Sequence, residues 1–155
     1  MSELKQEVGF MPYGIRWLIR SDLDRVVDLE KWSCRDPWTH EDYVAILKQR
    51  DVIGTVIMEP EQGQWGTIQG AMVYRLKKDR LIIERMFVNT LERHHGYGSA
   101  MIQRMIDKLC TVGRRCVVCD VPEEQLDVQC LLRKHGFIAT VGRDCYVMTY
   151  EKKEV

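Results

Sequence analysis

The sequence predicts an α/β (α+β) fold: a mixed, mostly antiparallel central sheet flanked by helices on both faces. Two observations carry this. Short apolar segments separated by tight turn signals read as antiparallel hairpins. One apolar run is then followed by an amphipathic helix and a second apolar run, which is the pattern of a βαβ crossover. The order β-α-α-β-β-β-α-β-α-β-β runs through the 155 residues without repeat, linker or low-complexity segment. That length fits one domain with a sizeable core.

Residues 1–14 contain Gly9, Pro12 and Gly14, which break any period, and read as a flexible tail; residues 15–155 form the domain. Ile15 to Arg20 is a short β-like run. Ser21, with Asp24 three residues on, opens a helix whose Leu23, Val26, Val27 and Leu29 share a face, and Asp36-Pro37 stops its continuation. Thr39 caps a second helix, His40 to Arg50, with Tyr43, Ile46 and Leu47 at helical spacing. Val52 to Met58 is a strand, Gln62 to Gly66 a hairpin turn, and Thr67 to Leu76 the returning strand. Lys77-Lys78-Asp79 turns into Leu81 to Val88, the strand before the glycine loop. The helix Gly98 to Val112 follows, with Ile102, Met105, Ile106 and Leu109 on its buried stripe, and Gly113 ends it. Arg115 to Val121 is a strand, Glu123 to His135 a helix broken by Gly136, and two strands close the chain.

Composition narrows the function. Lys plus Arg equals Asp plus Glu at 23 each, so no global basic field recruits nucleic acid, and Arg114-Arg115 with Arg93-His94-His95 is too little for a basic face. No apolar run approaches the roughly eighteen residues of a membrane span, and MSELKQEVGF lacks a signal-peptide pattern, so the cytoplasm is the expected compartment. Six cysteines sit in apolar segments and are expected as free, buried thiols. Cys116 and Cys119 match C-x-x-C, but residues three apart on a strand point to opposite faces. His94 and His95 lack a second ligand pair at zinc spacing, so no metal is expected.

The most informative stretch is Arg93-His94-His95-Gly96-Tyr97-Gly98-Ser99-Ala100, which joins the strand Leu81 to Val88 to a helix. Gly96 and Gly98 carry no side chain to hold an anion off the backbone. The first N–H groups of the helix have no intrahelical acceptor, and the dipole adds about half a positive charge at that end. A pyrophosphate is the expected ligand. Walker A needs G-K-[ST], and the dinucleotide fingerprint needs a third glycine where Met101 stands, so neither applies.

The loop reads R-x-x-G-x-G and resembles the pyrophosphate signature of the Gcn5-related N-acetyltransferases, a resemblance that extends from Ile15 to Tyr150. It implies acetyl-CoA as cosubstrate, held by Arg93, His94, His95, Gly96, Tyr97, Gly98 and Ser99. It also implies that the backbone of Met86, Phe87 and Val88 pairs with the pantetheine arm, and that Gln125 takes the place of a cofactor-contacting Asn. The bulk of Phe87 would narrow that channel.

Leu29-Glu30-Lys31-Trp32 with Asp36-Pro37-Trp38-Thr39 resembles the "IE…PWS" segment of the RimI-like ribosomal-protein alanine acetyltransferases. The resemblance implies a primary amine acceptor, a protein N-terminus in that branch. Trp38 is then either a wall of the acceptor slot or a core residue. Leu131 to Phe137 resembles the branch's "LYEKLGF" ending, with Leu132 where the acidic Tyr stands. Asp120 falls at the Glu of "LEVR". It is either the general base, strengthened by burial beside Val118, or the end of the strand and a helix cap. Glu84 is the second candidate base, on the face of Met86 and Val88, or else a residue paired with Arg85 or a lysine. Tyr146 is a structural residue or a replacement acid. The connection Val141 to Cys145 is short, so part of the peptide slot is missing. Two functions follow: acetyl transfer to an amine, or a catalytically weakened acyl-CoA-binding module.

Overall fold

The computed structural model describes residues 14–61, 64–92, 95–109 and 113–153. Among these residues seven strands form one sheet: β1 (Gly14–Trp17), β2 (Val52–Glu61), β3 (Gln64–Leu76), β4 (Arg80–Val88), β5 (Cys116–Pro122), β6 (Ile138–Val141) and β7 (Cys145–Glu151). Their spatial order is β1-β2-β3-β4-β5-β7-β6, and every neighbouring pair is antiparallel except β4 with β5. Among the described residues four helices, α1 (Leu23–Ser33), α2 (His40–Leu47), α3 (Tyr97–Lys108) and α4 (Leu126–Lys134), complete the predicted order. The expected tail falls on residues 1–13, outside the described residues, and Gly14 already belongs to β1.

Strand alternation builds two cores. One face of the sheet sends Met72, Tyr74, Leu81, Ile83, Val117, Cys119, Val121 and Met148 against α3 and α4, which answer with Tyr97, Met101, Ile102, Met105 and Leu132. The other face sends Val52, Val56, Ala71, Val73 and Phe87 against Leu23, Val26, Val27 and Leu29 of α1 and Tyr43 of α2. Helices α1 and α2 pack on β2, β3 and β4. Their side of β5 is less covered: Cys116 and Val118 are half-buried there, and Asp120 is exposed.

Several boundaries differ from the sequence expectation, each for a local reason. The α1 entry is organised by Asp22, not by Ser21 and Asp24: its Oδ2 accepts from Ile19 N at 2.8 Å, and Arg16 grips it at 2.7 and 2.9 Å, closing a 3-10 turn before the helix. At α2 the predicted cap forms, with Thr39 Oγ1 accepting from Asp42 N and Asp42 Oδ2 from Thr39 N. That helix ends at Leu47, because Gln49 N turns back to Ile46 O. The β2–β3 turn is tighter than expected: Glu61 already pairs with Gln64, and residues 62–63 lie outside the described set. Residues 123–125 form a turn rather than helix, tied by Gln125 N to Pro122 O at 3.1 Å and by Gln129 Nε2 to the carbonyls of Pro122 and Glu123. Gly136, with positive φ, closes α4 as the sequence predicts, whereas α3 ends earlier than expected, at Lys108, where Leu109 N turns back to Ile106 O.

Candidate active site

Strands β4 and β5 pair only from Arg80 with Cys116 to Ile83 with Cys119. Beyond that couple β4 follows β3, from Arg85 with Val73 to Val88 with Gly70, while β5 follows β7, from Asp120 with Val147 to Pro122 with Cys145. The strands therefore part at Glu84 and Asp120. Among the described residues the β4 edge from Glu84 to Val88 has no strand partner on its β5 side, which leaves main-chain N–H and C=O groups facing an extended ligand.

A bulge shapes this edge. Tyr74 pairs with Ile83 and Val73 with Arg85, which leaves Glu84 as the extra residue. Parity inverts across it. Leu81 and Ile83 before the bulge, and Met86 and Val88 after it, all pack toward α3. Phe87 is buried in the opposite core beneath α1, so its ring does not narrow the cleft. Gly70 makes the close approach of β3 possible: a Cβ there would lie 2.6 Å from Phe87 O.

The open edge leads to the start of α3. Gly96 holds a left-handed conformation, φ 84°, as the residue before the helix, and the first helical bond runs from Ala100 N to Gly96 O. The amides of Gly98 and Ser99 therefore have no intrahelical acceptor. His95 is exposed and stacks on Tyr97, whose ring is buried in the α3 core. Gly98 has a second reason for lacking a side chain: its Cβ would meet Leu131 Cδ2 at 2.9 Å, where α4 crosses α3. Arg93 and His94 lie outside the described residues. Among the described residues no cluster of His, Cys, Asp or Glu is arranged to hold a metal.

The acid and base candidates separate clearly. Asp120 and Glu84 stand on the two strands at the point where they part. Asp120 is exposed rather than buried beside Val118, and its carboxylate makes no hydrogen bond or ion pair among the described residues. It caps nothing, since Gln125 precedes α4 and the turn is held by Gln129. Glu84 does not share the face of Met86 and Val88. The bulge turns it to Arg75, whose Nε donates to it at 2.7 Å, while the same guanidinium reaches Gln49 and Asp51. Its expected partner Arg85 is engaged elsewhere.

Leu132 is fully buried against the α3 core and offers no proton. Tyr146 packs against the same core from β7. Gln125 is exposed at the N-terminal end of α4. The β6–β7 connection is short, closed by Gly142 N to Cys145 O at 2.8 Å. None of the described cysteines forms a disulfide, but only Cys119 is buried as expected: Cys34, Cys116 and Cys145 are half-buried and Cys130 is exposed on the outer side of α4. Cys119 is buried, and burial pushes its thiol up to about 12, with the nearby charges of Asp120 and Glu84 adding to the effect.

A network beside the cleft was missed by the sequence reading. Glu30 is completely buried in α1, and its two carboxylate oxygens accept from Trp38 N at 2.6 Å, Tyr43 Oη at 2.7 Å and Arg85 Nε at 3.0 Å. Arg85 also donates to Asp36 O at 2.6 Å and lies over the Trp38 ring, 5.4 Å from its centroid. Burial and the charge of Glu30 push the Tyr43 hydroxyl far above its ordinary value. The signal was present: Glu30 follows Val26 and Val27 by four and three residues, on the buried stripe of α1.

Comparison with known proteins gives the family and the fold. The model of the acetyltransferase (GNAT) family matches residues 13–137. The chain belongs to this family. The fold of this acetyltransferase is similar to that of the ribosomal-protein-S18-alanine N-acetyltransferase from Escherichia coli, at TM-score 0.77 and 16% identity over 92% of this chain and 96% of that one. It is also similar to Ard1 from Thermoplasma volcanium, at TM-score 0.77 and 17% identity over 93% and 100% of the two chains. A third similar structure is Arabidopsis thaliana NAA60 in complex with acetyl-CoA, at TM-score 0.73 and 14% identity over 90% and 98%. No curated protein sequence is significantly similar to this acetyltransferase. None of its described helices is long and apolar enough to cross a membrane.

Proposed function

We propose that this acetyltransferase uses acetyl-CoA to acetylate a primary amine, a protein N-terminal α-amine as in the RimI-like branch. The observation that carries the reading is the parting of β4 from β5, in line with the left-handed Gly96 at the start of α3. The amine attacks the carbonyl carbon of the acetyl-CoA thioester, the C–S bond breaks as the tetrahedral adduct collapses, and coenzyme A leaves as a thiolate that takes its proton from water. The free edge of Met86, Phe87 and Val88 holds an extended pantetheine arm and provides a main-chain N–H for the developing oxyanion. The amides of Gly98 and Ser99 and the exposed His95 take the pyrophosphate; the sequence motif adds Arg93, His94, Gly96 and Tyr97 to the same cofactor loop, and the resemblance adds Gln125. Asp120 takes the proton from the attacking amine, directly or through one water, because it stands at the fork and is accessible. Glu84 is the weaker base, since Arg75 already occupies it.

A second reading, an acyl-CoA-binding module with little or no turnover, is favoured by one observation: Leu132 is sealed in the core where an acid would be needed. Calorimetric titration with acetyl-CoA, followed by thiol-release assays over a panel of amines and N-terminal peptides, separates the two. Binding with turnover that drops by about 10²-fold or more in Asp120→Asn supports the transferase. Tight binding without turnover on any amine supports the module, and no binding at all overturns both.

A further inference from the structure

We propose that Glu30 and Arg85 are positioning residues that fix the α1–α2 connection against β4 as the acceptor wall of the cleft. This deepens the acetyl-transfer reading and rests on it. A fully buried carboxylate is a poor way to gain stability, because apolar side chains of similar volume are often as good or better. Its use here needs an explanation in geometry. Glu30 gathers donors from three separate segments: Tyr43 from α2, Trp38 N from the connection and Arg85 from β4. Each is a different element, so the carboxylate sets where they stand relative to one another.

Arg85 does the joining. It directly follows the bulged Glu84, at the point where β4 loses its β5 partner. One nitrogen of its guanidinium reaches Glu30, another reaches Asp36 O, and the plane covers Trp38. Asp36 and Trp38 are thereby held to the strand that lines the cleft. A planar cation with several fixed donors can bridge two acceptors and stack at once, and a lysine ammonium cannot. Trp38 is then both packed and a wall: its edge meets Tyr43 at a centroid distance of 5.2 Å while its amide is tied to Glu30.

The test compares three variants with the parent for acetyl-CoA affinity, acceptor KM, kcat and thermal midpoint. Arg85→Lys and Glu30→Gln are expected to raise acceptor KM by about tenfold or more and to leave acetyl-CoA affinity within about twofold, because only the acceptor side shifts. Tyr43→Phe keeps the ring contact with Trp38 and removes one bond to Glu30; it is expected to lower the thermal midpoint with acceptor KM unchanged. If Glu30→Gln fails to fold, Arg85→Lys carries the comparison. Normal acceptor KM in folded Arg85→Lys overturns the proposal alone, and so does a KM rise in Tyr43→Phe equal to that of Arg85→Lys. A parent enzyme with no turnover on any amine overturns the acetyl-transfer reading, and the acceptor wall with it.

Discussion

Leu132, which the resemblance to the RimI-like branch aligns with a tyrosine, is sealed beneath α3 with no exposed surface. A phenol there needs both extra volume and a partner for its hydroxyl. Leu132→Tyr is therefore expected to lose about 1–3 kcal/mol of unfolding free energy in denaturant titration rather than to restore an acid. A variant as stable as the parent, with faster acetyl transfer, would contradict this. The position itself was legible, because Gly136 and Phe137 anchor the helix ending in the sequence. The environment of single side chains was less so. Asp120 was expected beside apolar Val118 and so in a buried place, but both lie on the less covered side of β5. Coverage depends on where α1 and α2 settle, which no local pattern encodes.

At the scale of elements, the cleft depends on how closely β3 approaches β4. Any side chain at position 70 would press on the Phe87 carbonyl, a backbone atom that cannot swing away. Gly70→Ala is expected to cost about 1–3 kcal/mol of stability and to weaken acetyl-CoA binding severalfold, because it displaces the strand edge at Phe87 and Val88. Calorimetry on the folded variant checks it, and unaltered affinity would show that the edge is not the binding element. Eleven elements were legible in order, since each carries its own period, cap or breaker. The bulge at Glu84 was not. Leu81-Ile82-Ile83 is a continuous apolar run with no alternation to reveal a change of face, and the shift is visible only in the register with Tyr74 and Val73. The parting of β4 from β5 is likewise a pairing between distant segments, for which the glycine loop was only an indirect sign.

For the whole molecule, acid sensitivity has an identifiable source at the entry to α1. Burial alone would raise the Asp22 carboxyl, but the bonds and charge of Arg16 and the bond from the Ile19 amide outweigh it and hold it below its ordinary value of 3.8. A carboxylate lowered on folding contributes stability above its unfolded value and loses it as pH falls through the folded one. Thermal midpoints of the parent should therefore drop below pH 3.8 more steeply than those of Asp22→Asn, whose midpoint at neutral pH is already lower. Parallel curves would remove Asp22 as the source.

The few couples between β4 and β5 have a kinetic meaning as well. Strands β2, β3 and β4 are joined by hairpins and can close early, whereas the β4–β5 pair must wait until α3 has carried the chain back, a longer loop to close. The seam beside the cleft is thus expected to assemble late. A molecule lying across that seam would slow unfolding far more than it would speed folding, so the cosubstrate would set how long each copy of the enzyme survives as well as what it does.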